Sequence, residues 1–166
     1  MIIDYKELVE VRDLHPGKKI VFSDGVFDLL HVGHIEHLKH LSELGDLVVV
    51  GIMSDAWVRG RKGNGRPIMG EEERAALIDC VRYVHYTVLL NDLEKKERVR
   101  TTEALALLRP DIFATSDSTW SNHGKELKTL GVELKVAERV PPNIATTVED
   151  ISTSKLIKRV QRLNSI

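Results

Sequence analysis

The amino-acid sequence predicts an α/β fold: a doubly wound, Rossmann-like parallel sheet of about five strands with helices on both faces. Three observations carry this reading. Short β-rich runs alternate with stretches of helical periodicity along the whole chain. Several of those runs are continuously apolar, which is the pattern of strands covered on both faces rather than one. At 166 residues and 42% hydrophobic content, the chain suits one domain with a single core.

The elements follow in order. Residues 5–14 read as an amphipathic helix that stops at His15-Pro16-Gly17, and residues 1–17 are expected to stand outside the core, beside the sheet or on a partner. Strands are expected at 19–22, 46–52, 84–90, 111–114 and 133–136. Helices are expected at 35–44, 71–81, 94–108, 125–130 and about 153–163. Cys80 falls in an apolar-periodic segment and is expected in the core. Residues 140–150 form a longer connection of the kind that often lines sites. No internal repeat or low-complexity tract marks a boundary, so one domain over 1–166 is expected.

Composition narrows the ligand classes. A formal charge of -1 gives no global positive field, so small anions are expected as ligands and nucleic acid is not. The apolar runs 47–50 and 88–90 fall far short of the roughly 20 residues that span a bilayer. The start, Met1-Ile2-Ile3-Asp4-Tyr5-Lys6, lacks a basic leader with an apolar stretch, and the lone Cys80 has no internal partner. A cytoplasmic protein without membrane attachment is therefore expected.

In a doubly wound sheet, ligands sit beyond the carboxyl ends of the strands, where strand order reverses. Two segments fall at that edge: Ser23-Asp24-Gly25-Val26-Phe27-Asp28-Leu29-Leu30-His31-Val32-Gly33-His34 after the first predicted core strand, and Ile151-Ser152-Thr153-Ser154 after the last. Gly33 lies between two histidines at a predicted helix start, where unpaired backbone N–H groups and the positive dipole end favour an anion. His31 and His34 can donate hydrogen bonds to oxygens that gain charge in phosphoryl-type transfer. The series His31, His34, His37 and His40 also suggests a metal cluster. Each step of three rotates the helical face by about 60°, however, which carries His40 opposite His31, and no metal-ligating residues are assigned.

The string Gly25-Val26-Phe27-Asp28-Leu29-Leu30-His31-Val32-Gly33-His34 resembles the signature of the cytidylyltransferase-like nucleotidyltransferases. Ser54-Asp55, Lys62-Gly63-Asn64-Gly65-Arg66-Pro67-Ile68 and Glu73-Arg74 resemble that family's middle blocks, and Ile151-Ser152-Thr153-Ser154-Lys155 its closing block. The likeness covers about residues 19–160. It implies attack by a phosphorylated small-molecule acceptor on the α-phosphorus of a nucleoside triphosphate, with Mg2+ held mainly by the nucleotide and no covalent enzyme intermediate. On this resemblance His31, His34 and Lys62 are the catalytic residues, Lys62 folding over the phosphates from a mobile Gly-rich stretch. Gly25, Val26, Phe27, Gly33, Arg74, Ser152, Thr153 and Ser154 bind nucleotide. Asp28, Arg66, Asp117 and Trp120 are candidate acceptor or base contacts, with a turn-fixing role open for Asp28 and packing for Trp120. A homodimer is expected.

Lys-Gly-x-Gly-Arg-Pro at Lys62–Pro67 looks most like the heptose-phosphate adenylyltransferases, which favours ATP over CTP. The closing Ile-Ser-Thr-Ser and Arg82-Tyr83-Val84 look closer to the glycerol-phosphate, choline-phosphate and ethanolamine-phosphate cytidylyltransferases, the alternative reading, in which the acceptor is glycerol phosphate, an amino-alcohol phosphate or a phosphonate. Two departures bear on the acceptor. Ala114-Thr115-Ser116-Asp117-Ser118-Thr119-Trp120 replaces the heptose type's Lys-Gly-Gly-Asp-Tyr, and Thr147 stands where the glycerol-phosphate type has an arginine, a contact that Arg139 could supply instead. A regulatory nucleotide-binding module is a reading of another class, against which His31, His34 and Lys62 argue. The catalytic half of an aminoacyl-tRNA ligase shares the His-x-Gly-His turn, but the chain has neither room for a tRNA-reading domain nor basic excess.

Overall fold

A computed structural model describes residues 1–92, 97–98, 100–136 and 151–163. Its seven-stranded sheet has the order β1-β4-β3-β2-β6-β7, with β5 paired to β4. The strands are β1 (Ile2–Ile3), β2 (Ile20–Gly25), β3 (Leu47–Met53), β4 (Tyr86–Asp92), β5 (Glu97–Arg98), β6 (Ile112–Thr115) and β7 (Glu133–Val136). All pairings are parallel except that of β4 with β5. The helices are α1 (Leu8–Leu14), α2 (Val32–Leu44), α3 (Asp55–Lys62), α4 (Glu71–Asp79), α5 (Thr101–Leu108), α6 (Gly124–Thr129) and α7 (Thr153–Leu163). The doubly wound α/β class is as expected, and the five expected strands correspond to β2, β3, β4, β6 and β7.

Alternating side chains on the central strands feed two separate cores. Phe22, Val49 and Phe113 enter one with Leu8, Val11, Leu105 and Leu108. Val21, Val48, Val50, Ile112 and Ala114 enter the other with Leu38, Leu41, Ala75 and Ile78. This period of two is the pleat itself, and it explains why strands buried on both faces read as unbroken apolar runs. Every residue of β3 is buried.

Three expectations are corrected. The N-terminal segment does not stand outside the core: Leu8 is 0% and Val11 2% exposed, and Ile2–Ile3 pairs with Thr87–Val88 at the sheet edge. Its helical stripe of apolar residues seals the face that carries α5. The helix expected over 94–108 begins at Thr101, where Glu103 Oε2 accepts from the Arg100 N–H at 2.8 Å. Glu97–Arg98 instead pairs antiparallel with Asn91–Asp92, local pairing overriding the helix propensity of a charged run. Cys80 is exposed, just past the end of α4, because the helix turns its buried face through Ala75 and Ile78 instead. No described helix is long and apolar enough to cross a membrane.

The chain runs from β2 outward through β3 to β4, then returns to β2's other side with β6 and β7. Strand order therefore reverses at β2, and the segment leaving β2 sits at the switch point.

Candidate active site

The loop after β2 is bent tightly. Phe27 and Leu29 both have φ of 51°, a left-handed conformation that costs a non-glycine residue roughly 1–2 kcal/mol. Surrounding bonds hold it. Asp28, fully buried, accepts from Arg66 Nε at 2.7 Å and from the backbone N–H groups of Ile68 and Met69 at 3.1 Å. Burial alone would raise its pKa, but those three sets of hydrogen bonds and the Arg66 charge outweigh it and hold the carboxyl below its usual range. Gly25 is required here, since a Cβ would lie 2.7 Å from the Phe27 ring.

Arg74 is the largest fully buried side chain of the described residues. Its guanidinium donates to Met69 O at 3.0 Å, Val26 O at 2.6 Å, Met53 O at 2.8 Å and Asp55 Oδ1 at 2.6 Å. A planar fork with several donors is suited to gathering carbonyls from three separate segments. Asp28, Arg66 and Arg74 all turn inward and brace the loop, which for Asp28 is the turn-fixing alternative. Asp55, at the start of α3, is the acid that balances Arg74, a role no local sequence signal announces.

Beyond this brace, His31 caps α2, and the His31 and His34 rings stack at 3.8 Å between centroids. His34 Nδ1 accepts from the His31 backbone N–H at 3.4 Å, so the neutral ring carries its proton on Nε2. Gly33 lies beneath: a Cβ there would stand 3.2 Å from the His31 ring and 3.5 Å from Ile151 Cγ2. The Thr153 hydroxyl donates to the Asp28 carbonyl, tying the closing block to the first. Ser152 precedes α7, its Oγ accepting from the Lys155 N–H at 3.4 Å. Two helix N-termini, those of α2 and α7, thus meet beside the histidine pair. Each brings unsatisfied N–H groups and a partial positive charge.

Lys62 is the exposed last residue of α3, whose final turn also carries Arg59 and Arg61. It belongs to a helix end rather than to the loop expected for it; the following Gly63, at φ 87°, closes the helix. Asp117 caps the 3-10 turn Ser118–His123 after β6, accepting from the Thr119 N–H at 2.9 Å and its hydroxyl at 2.6 Å. These bonds, then the Arg61 charge, lower its pKa, so the turn after β6 feels the end of α3. Trp120 packs edge-on against Phe113, with ring centroids 4.8 Å apart, and is half-buried. Residues 140–150, with Thr147, and Arg139 lie outside the described residues. No group of three or more His, Cys, Asp or Glu side chains that could hold a metal occurs among the described residues.

A parallel sheet with two helix N-termini converging on a histidine pair at its switch point defines a phosphate-binding α/β domain. The chain belongs to the cytidylyltransferase-like family of nucleotidyltransferases, whose model matches residues 22–159. Relatives include the bifunctional protein HldE of Pelobacter propionicus, 37% identical over 87% of this chain, and that of Nitratiruptor sp., 35% identical over 96%. The chain spans only 27% and 32% of those two proteins. Among solved structures, the lipopolysaccharide core biosynthesis protein of Thermoplasma volcanium is similar with a TM-score of 0.56 and 30% identity, over 72% of this chain and 93% of that one. Pantoate-beta-alanine ligase from Francisella tularensis, at 14% identity and a TM-score of 0.60 over 100% of this chain and 78% of the other, shares the fold.

Proposed function

We propose that this chain transfers a nucleoside monophosphate from a nucleoside triphosphate, ATP in preference to CTP, to a phosphorylated small molecule of the sugar-phosphate class. The observation that carries the reading is the meeting of the α2 and α7 N-termini beside the stacked His31 and His34, through the Thr153–Asp28 bond. An acceptor phosphate oxygen attacks the α-phosphorus, the α–β bridging bond breaks, and pyrophosphate leaves. His31 and His34 donate to oxygens gaining charge at the α-phosphate, while the α7 N-terminus with Ser152 and Ser154 receives the β- and γ-phosphates. Thr153 acts through its bond to Asp28, and Lys62 supplies a positive charge from the end of α3.

Magnesium bound to the triphosphate supplies charge neutralisation at the departing pyrophosphate. The described residues fit a metal carried by the nucleotide: Asp28 is committed to Arg66, Ile68 and Met69, so the ion would be held by the triphosphate and water rather than by a protein carboxylate. A sugar-phosphate acceptor is supported by the HldE relatives. The closing Ile151-Ser152-Thr153-Ser154 favours CTP as the second reading.

The test is a pyrophosphate-release screen of ATP and CTP against sugar, polyol and amino-alcohol phosphates. Turnover with ATP and one sugar phosphate is expected, and silence across every pair refutes the reading. His34→Ala is expected to lower turnover by about a hundredfold or more with the fold intact; near-normal release removes His34 from its role.

A further inference from the structure

Ser23 lies on β2, fully buried, two residues before the Gly25 bend. Its hydroxyl is 3.1 Å from His37 Nε2 on α2. His37 stands one helical turn past His34, on the neighbouring part of the same face. The bond therefore joins the strand that enters the histidine turn to the helix that leaves it, and it does so beneath the turn. Between these two anchors the chain passes through Phe27 and Leu29, both left-handed at φ 51°. A bend of that kind keeps its shape only when its two ends are fixed.

We infer that His37, through Ser23, is a positioning residue for nucleotidyl transfer, setting the rotation of α2 that aims His31 and His34. The inference rests on the proposed activity, which it deepens. A side-chain head lies about 5–6 Å from a helix axis, so a rotation of roughly 10° moves it by about 1 Å. A misplacement of about 1 Å costs on the order of a hundredfold in rate. The apolar anchors of α2, Leu38 and Leu41, fix how deeply the helix sits on the sheet but are indifferent to small rotations, because dispersion contacts are not directional. A hydrogen bond is. Burial and the neighbouring His40 push the His37 pKa down to about 4, so at neutral pH the ring is uncharged and repels neither His34 nor an incoming proton on it.

The test uses four proteins of full length: wild type, His37→Leu, Ser23→Ala and the double variant, with His37→Gln as the conservative replacement whose amide nitrogen occupies the Nε2 position. Expected are a fall in kcat of tenfold or more in either single variant, a KM for the triphosphate within threefold of wild type, a double variant no worse than the singles, and recovery to within threefold in His37→Gln. A bond acting as one unit gives that non-additivity. Unchanged kcat in Ser23→Ala, or losses that multiply in the double variant, overturn the inference. Ser23→Ala removes one oxygen and keeps the question answerable if His37→Leu fails to fold. Imidazole ¹⁵N spectra of His31 and His34 give a readout independent of turnover. Shifts in their resonances in Ser23→Ala are expected, and unperturbed resonances overturn the inference even if the wild type releases no pyrophosphate and the functional reading itself falls.

Discussion

At the scale of single residues, charged side chains near the histidine turn divide into those that face ligand space and those that hold the backbone. Asp28 and Arg74 belong to the second group, although both sit inside family blocks. Replacing Asp28 by Asn keeps the size but removes the charge that Arg66 faces and points an amide N–H toward backbone donors. Breaking one side of a buried pair costs about 3–5 kcal/mol, and part of that is regained because Asn still offers one oxygen. Asp28→Asn is expected to lower unfolding free energy by about 2–4 kcal/mol, read as a drop in urea midpoint at unchanged m-value; an unchanged midpoint would show that the brace contributes nothing. Gly33→Ala addresses the histidine pair. Its Cβ would press on the His31 ring at 3.2 Å, so kcat is expected to fall at least tenfold while the urea midpoint moves little. Equal losses in both measurements would make Gly33 a folding residue. The placing of His31, His34 and Gly33 at a helix start was legible because the end of an apolar strand followed by a glycine between histidines is a local pattern. Arg74 was not, because an arginine reads the same in sequence whether it meets phosphate oxygens or the carbonyls of Val26, Met53 and Met69.

At the scale of elements, five strands and the α2, α4 and α7 positions were legible, since apolar runs and capping residues are local signals. What escaped depends on pairing across the chain. Glu97–Arg98 becomes a strand only because β4 offers Asn91–Asp92, and Ile2–Ile3 only because β4's other edge accepts it. The convergence of α2 and α7 was foreseeable from the switch-point rule, but the bond that enforces it was not. Thr153 sits 125 residues from the carbonyl it binds. Thr153→Val retains shape and β-branching while deleting the donor, leaving the buried Asp28 carbonyl short of a partner at a cost of about 1–3 kcal/mol. The effect is local to the α7 N-terminus, so KM for the triphosphate is expected to rise roughly threefold to tenfold, measured against Thr153→Ser, which keeps the hydroxyl. If Val and Ser variants share one KM, α7 is placed by something other than this bond.

At the scale of the whole molecule, acid stability separates into two limbs. His37 is pushed down to about 4 by burial and then by His40, and His85 is lowered by burial and then by His15 and the N-terminal amine. In the unfolded chain both return to about 6.5. Between those values the unfolded state binds more protons than the native one, so stability falls as pH drops from about 6.5 toward 4, by on the order of 2–3 kcal/mol for His37. Asp28 and Asp111 behave in the opposite region. Their pKa values are lowered because hydrogen bonds and arginine partners outweigh burial, so their stabilisation is intact above about 3.9 and is lost only as pH falls further, through their folded values. The two limbs can therefore be told apart by variant. Urea midpoints at pH 7, 5.5 and 4.5 are expected to decline in the wild type and to decline less in His37→Gln, which has nothing to protonate at that position. Asp28→Asn should be shifted down at all three values without a change of slope, since the wild-type carboxyl stays ionised in the native state throughout. A wild-type midpoint that holds constant from pH 7 to 4.5 would mean that His37 takes up its proton in the folded protein without cost, and that Ser23 and the walls around it give way rather than exclude the charge.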